Sequence, residues 1–167
     1  MLSKDELIES IVKEITIIEH LFTKIPDGKL DYRPTQKQRS MRELLQYLSQ
    51  SPAASVKAIH AGNQMPYREV KERAKDLDFD AFDAAMEEQC REVRQTIESM
   101  NHDELEEEVD IFNTGKPSKR RRLLVEMTLK NLVGYKMQLF LYIKASGNEE
   151  IGTMNVWHGF DMPIAQE

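Results

Sequence analysis

Apolar residues repeat at helical spacing in four separate parts of the chain. The first run places an apolar residue every three or four positions: Leu7, Ile11, Ile15, Ile18 and Phe22. This spacing puts side chains on one face of an α-helix. Ser3 followed by Glu6 is the capping-box pattern of a helix start. We therefore expect a first helix from about Ser3 to Thr23.

The second helix is predicted from a repeat of the same signals. Ser40 and Glu43 form another capping-box pattern, and an apolar series follows them: Leu44, Leu45, Leu48, Val56 and Ile59. We expect this helix to reach about His60. Pro52 should kink or interrupt it, because proline lacks the N–H and crowds the preceding turn. The stretch before it, Lys24–Arg39, is rich in turn residues and is predicted to be a loop.

A third helix is predicted from about Phe79 to Met100, capped by Asp78 or Asp80. Its inward-facing residues should be Phe82, Met86, Val93 and Ile97. The preceding stretch breaks at Gly62–Pro66 and then permits a short, exposed helix over 67–77.

The last long helix is predicted from Lys119 to about Ser146, with Ser118 as its cap and Gly147 as its stop. Before it, Val109, Ile111 and Phe112 are expected to pair briefly as extended chain.

The C-terminal tail is expected to be ordered up to about Pro163 and to pack on the helices. Exposing Ile151, Trp157 and Phe160 together would leave an apolar patch. Four long amphipathic helices without repeated strands predict one all-α domain over residues 1–167, a four-helix bundle with long connections.

Composition narrows the classes of function. The net charge of −6 disfavours general nucleic-acid binding, and the basic cluster Lys116–Arg122 is interpreted as a solvated loop and first helical turn. No run approaches the roughly 18 apolar residues of a membrane span. The N-terminus lacks a secretory pattern, so the default location is the cytoplasm. Cys90 is the single cysteine, which excludes an internal disulfide.

A polar stripe runs along the last predicted helix. Asn131, Tyr135, Gln138 and Tyr142 are spaced by four, three and four residues, so they share one face. General motifs assign no chemistry to it. The four histidines lack metal-ligand spacing, and no nucleophile triad or glycine-rich phosphate loop is present. Catalytic residues and cofactors are therefore not assigned.

The order of several motifs resembles the DinB superfamily across nearly the whole chain. They are "DYRP" at Asp31–Pro34, "SMRELLQYL" at Ser40–Leu48, "YKMQLFLYIKASG" at Tyr135–Gly147 and the tail "GTMNVWHGFDMP" at Gly152–Pro163. Each motif is degenerate alone, but their order and spacing agree with the family.

The resemblance implies a DinB-like bundle, often a homodimer, with a divalent metal held by three histidines. The matching positions here are Tyr47, Asn131 and Tyr135, so all three histidines are replaced. A neutral phenol or amide is a poor ligand for zinc or nickel beside imidazole. We therefore expect no metal at these positions.

Three functions follow as hypotheses. The first is a small-molecule site formed by Tyr47, Asn131, Tyr135 and Gln138. Its alternative is a vestigial site, in which these polar groups only hydrogen-bond to one another. The second is a thiol-dependent S-transferase-like enzyme, either with an altered metal arrangement or with a metal-free site that uses Tyr135 or Tyr47 as an acid. The third is a homodimeric interaction module. The sequence indicates neither a substrate nor a pathway.

Overall fold

Four helical segments pack around one apolar core in the computed structural model, which describes residues 2–162 except the side chains of residues 70–73. The α-helices are α1 (Lys4–Phe22), α2 (Met41–Leu48), α3 (Ser51–Ala61), α4 (Met65–Arg73), α5 (Phe82–Ser99), α6 (His102–Glu106), α7 (Arg120–Leu123), α8 (Lys130–Ser146) and α9 (Thr153–His158). A π-helical segment, Leu124–Leu129, joins α7 to α8. Short 3₁₀ turns cover Ala74–Asp76 and Phe79–Ala81.

The bundle is built from α1, the α2–α3 pair, α5 and the α7–α8 segment. Helix α1 packs against α5 and α8, whereas α3 packs against α5 and the π-helical segment. The predicted inward residues of the third helix, Phe82, Met86, Val93 and Ile97, are all buried. The all-α bundle expected from the helical periodicity is therefore confirmed.

Both predicted capping boxes are present. The Ser3 hydroxyl accepts from the Glu6 N–H at 3.1 Å, and the Glu6 carboxylate accepts from the Ser3 N–H at 2.6 Å. Ser40 and Glu43 make the same pair of bonds at 3.2 and 2.6 Å. Each box satisfies two N–H groups that have no partner within the helix.

The second predicted helix is interrupted where Pro52 led us to expect it. Helix α2 ends at Leu48 and α3 begins at Ser51, so Pro52 lies in the first turn, where its missing N–H costs no helical hydrogen bond. The buried Gln89 bridges the break. Its amide donates to the Leu48 carbonyl at 3.0 Å and accepts from the Ala53 N–H at 3.5 Å.

The start of the last helix differs from the prediction. Ser118 does not cap it, because Ser118 belongs to β2 (Ser118–Lys119), which pairs antiparallel with β1 (Glu108–Val109). The helix instead begins at Arg120 without a side-chain cap. The end at Gly147 is confirmed, with φ of +129° at this residue.

Of the residues expected to pair as extended chain before that helix, only Val109 does so. Ile111 lies in a turn and is buried, and Phe112 follows it and is exposed. The acidic run and the basic cluster meet at this hairpin. Glu106 pairs with Lys119 and Arg121.

The tail packs on the bundle only in part. Helix α9 contacts α1 and α8, and Ile151 is buried as expected. His20 of α1 contacts the amide of Asn155 at 3.1 Å. However, Trp157 and Phe160 are 49% and 46% exposed, so the expectation that they would be covered is wrong. Pro163 lies outside the described residues.

Within 2–162, no helix has both the length and the apolar character needed to cross a bilayer.

Candidate functional site

Tyr47 of α2 and Tyr135 of α8 meet across the bundle. Their rings pack edge to face, with centroids 4.9 Å apart and an interplanar angle of 64°. Asn131 lies one turn before Tyr135 and borders the same gap, although it is exposed. The gap has a volume of about 10 Å³, which is room for about one water molecule. The structure thus brings together the three positions that the resemblance pointed to.

Hydroxyl groups from α3 form the floor of this gap. Ser51 and Ser55 are one turn apart and interact with the phenols of Tyr47 and Tyr67, respectively. The buried Ser55 hydroxyl also lies 2.7 Å from that of Thr128 in the π-helical segment. A π-helical segment has a wider turn than an α-helix, and such segments inside helices are frequent at functional sites. Sequence reasoning missed these hydroxyls, and the only signal was the four-residue spacing of Ser51 and Ser55.

Arg39 lies over the two tyrosines. Its guanidinium carbon is 4.4 Å from the Tyr47 ring centroid and 5.5 Å from that of Tyr135, within the range of cation–π attraction. Sequence reasoning placed Arg39 at the end of a loop without a role. The available signal was that it directly precedes the Ser40 cap, which fixes its position relative to α2.

The rest of the polar stripe holds the backbone of Arg39. The Tyr142 hydroxyl donates to the Arg39 carbonyl at 3.0 Å and accepts from the Gln138 amide at 2.7 Å. Tyr142 is buried and Gln138 is half-buried. The stripe on α8 therefore fixes Arg39 twice, with Tyr135 under its side chain and Tyr142 at its main chain.

A larger cleft of about 540 Å³ opens beside the gap. It shares Tyr47, Ser51 and Tyr67 with the gap, and its rim carries Arg39, Glu43 and Lys75. Gln138 borders neither space. The binding role predicted for Tyr47, Asn131, Tyr135 and Gln138 stays a prediction.

Burial keeps the phenols of Tyr47 and Tyr67 protonated. It raises the pKa of Tyr47, and the neighbouring Tyr135 raises it further. Burial also raises the pKa of Tyr67. The Ser40 N–H lowers the pKa of Glu43, with a further contribution from the positive charge of Arg33. At neutral pH the site thus presents neutral hydroxyls, the Glu43 carboxylate and the cations of Arg39 and Lys75.

The residues present do not fit a divalent metal of the three-histidine type. The Tyr47 phenol is held in its neutral form, and an amide such as that of Asn131 is a weak ligand. The Arg39 guanidinium places a positive charge over both tyrosine rings. In the part of the chain that the structure describes, no three His, Cys, Asp or Glu side chains form a metal-binding group.

The helix order and packing define a DinB-like four-helix bundle. The crystal structure of a DinB-like protein, YjoA from Bacillus subtilis, superimposes with a TM-score of 0.70 at 19% identity, covering 89% of this chain and 96% of that one. In sequence, the uncharacterized protein YjoA of Bacillus subtilis (strain 168) is 19% identical over 151 residues, covering 90% of this chain and 96% of the relative. No family model matches the chain. The resemblance inferred from the motifs is therefore confirmed at the level of the fold.

Proposed function

We propose that this chain binds a small molecule in the cleft beside Tyr47 and Tyr135, and that it has lost the three-histidine metal site of the DinB superfamily. The observation that carries this proposal is the position of Arg39, whose guanidinium is held on two aromatic rings at the edge of a cleft of about 540 Å³. Small-molecule sites commonly have volumes of about 300–1,000 Å³ and aromatic walls with a few placed polar groups.

The arrangement supports binding because the polar groups are fixed before a ligand arrives. The Arg39 backbone is held by Tyr142 and its side chain by Tyr47 and Tyr135. Less rotamer freedom is then lost on binding, which favours affinity.

Part of the polar network is structural. Ser55 and Thr128 bond each other, as do Gln138 and Tyr142. These two pairs satisfy one another, whereas the alternative hypothesis of a vestigial site requires Tyr47, Asn131, Tyr135 and Gln138 to do so. Arg39 differs, because it lines the cleft and its guanidinium has ring contacts but no hydrogen bond or ion pair among the described residues.

No observation favours the S-transferase alternative, so we assign no reaction. The homodimer implied by the resemblance stays a proposal. Light scattering at micromolar concentration should give twice the mass of 19.4 kDa, and a monomer would remove this proposal.

A fragment library screened by ¹H–¹⁵N correlation spectra tests binding in the cleft. We expect hits that shift the amides of Arg39, Tyr47 and Tyr67. Ser51→Phe should fill the cleft and abolish these shifts, because Ser51 borders both spaces. Ser99→Phe is the matched control, since Ser99 is exposed at the end of α5. A library without such hits, or hits that persist in Ser51→Phe, would overturn the proposal.

A further inference from the structure

The guanidinium of Arg39 differs from the other arginines near the site. Arg33 pairs with Glu43 at 3.3 Å, and Arg42 pairs with Asp31 at 2.9 Å. Among the residues that the structure describes, the Arg39 guanidinium has ring contacts but no hydrogen bond or ion pair. A planar guanidinium stacked on rings still presents N–H groups along its edge. Arg39 is one of the residues that line the cleft.

Glu43 does not supply the missing partner. Its carboxylate accepts from the Ser40 N–H at 2.6 Å and lies 3.3 Å from Arg33. The charge of Arg39 acts on Glu43 at longer range and is the smallest influence on its pKa. The hydrogen bonds of the Glu43 carboxylate therefore go to Ser40 and Arg33, and none goes to Arg39 among the described residues.

The Glu43 carboxylate favours a singly charged ligand over a doubly charged one. Among the described residues that line the cleft, Arg39 can pair with an anion, whereas Glu43 is negative and already lies 3.3 Å from Arg33. A dianion such as a phosphate monoester would face the Glu43 carboxylate with a second negative charge.

Resting on the proposed function, we propose that the ligand is a small aromatic carboxylate. Its carboxylate accepts two parallel N–H bonds from the edge of Arg39, the geometry in which arginine binds carboxylates most strongly. Its ring lies in the cleft beside Tyr47 and Tyr67, where the exposed lining is mostly apolar.

Three probes with one ring system separate charge from shape: 2-naphthoate, the neutral 2-naphthamide and 2-naphthyl phosphate. Affinities are measured by calorimetric and NMR titration of the full chain. We expect 2-naphthoate to bind at least about tenfold more tightly than 2-naphthamide, as a charge-assisted hydrogen bond implies. It should also bind more tightly than 2-naphthyl phosphate.

Variants of Arg39 test whether its guanidinium causes the preference for 2-naphthoate. Arg39→Gln should remove the preference for 2-naphthoate, whereas Arg39→Lys should restore only part of it, because lysine lacks the planar pair of donors. Arg91→Gln is the charge-matched control, since Arg91 lies on α5, is exposed and does not border the cleft. Arg39 is exposed, so both of its variants should melt close to the wild-type temperature.

The outcomes separate this inference from the proposed function. Equal binding of naphthoate and naphthamide, or an unchanged preference in Arg39→Gln, would overturn the anion assignment while leaving a ligand-binding cleft. Tighter binding of the phosphate, or full recovery in Arg39→Lys, would overturn the paired carboxylate geometry. If all three probes fail while other fragments shift the cleft amides, only the inference falls. If no compound shifts those amides, the proposed function falls as well.

Discussion

Replacing Lys136 by methionine tests an ion pair buried between α1 and α8. The Lys136 side chain is 0% exposed, and its ammonium lies 2.7 Å from the Glu14 carboxylate, which is 15% exposed. The ammonium also lies 4.8 Å from the centroid of the Trp157 ring on α9. Three elements of the bundle therefore meet at one charged group.

The expected loss of stability follows from the burial of the partner. Removing one member of a buried ion pair costs about 3–5 kcal/mol, because the other charge is left without compensation. Glu14 keeps some contact with water, so we expect the lower end, about 3 kcal/mol for Lys136→Met. In a chain of this size the melting temperature should fall by roughly 6–12 °C.

Urea unfolding followed by circular dichroism measures this loss. The informative control is the double variant Glu14→Leu with Lys136→Met, which removes both charges and keeps apolar volume. Replacing a buried pair by apolar groups is often neutral or stabilising, so the double variant should lie within about 1 kcal/mol of the wild type.

Two results would refute this reasoning. If the free energy of unfolding of Lys136→Met falls by less than about 1 kcal/mol, Lys136 does not compensate the charge of the Glu14 carboxylate. If the double variant is as unstable as the single one, the loss comes from packing around the lysine stem instead of the stranded charge.

Three further predictions concern other buried or partly buried groups. Gln89→Leu should cost about 1–3 kcal/mol in urea unfolding, because the Leu48 carbonyl loses its donor at the helix break; an unchanged midpoint would contradict this. Tyr142→Phe should cost about 1 kcal/mol through the lost bond to the Arg39 carbonyl, and wild-type stability would show that this bond contributes little. Burial raises the pKa of Cys90 to about 11, so native protein at about pH 8 should react slowly with iodoacetamide and faster in urea; rapid native alkylation would argue against a buried thiol.

Capping patterns and apolar periodicity predicted the helices. They failed where the role of a residue depends on contacts with residues far away in the sequence. Ser3 and Ser40 were identified as caps because the whole capping box lies within four residues. Ser118 has no Glu or Gln three residues later, since Arg121 stands there, and in the structure it pairs with Val109 in a hairpin. A serine without the rest of the capping box is a weaker sign of a helix start.

The candidate site was predictable only in part. The DinB-like motifs pointed to Tyr47, Asn131 and Tyr135, which do converge. Arg39 could not be found in this way, because a loop residue has no periodicity. Lys136 was missed because lysine is almost never fully buried unless it is paired, and its partner lies on another helix.

Measurement of bound metal most directly tests the central claim, which is that the side chains lining this cleft hold no metal ion. Tag-free protein would be incubated with excess zinc, nickel and manganese, desalted and examined by mass spectrometry for bound metal. We expect less than about a tenth of an equivalent of each metal, because neutral phenols and an amide beside Arg39 are poor ligands. A stoichiometric metal that is lost on substitution of Tyr47, Asn131 or Tyr135 would contradict it.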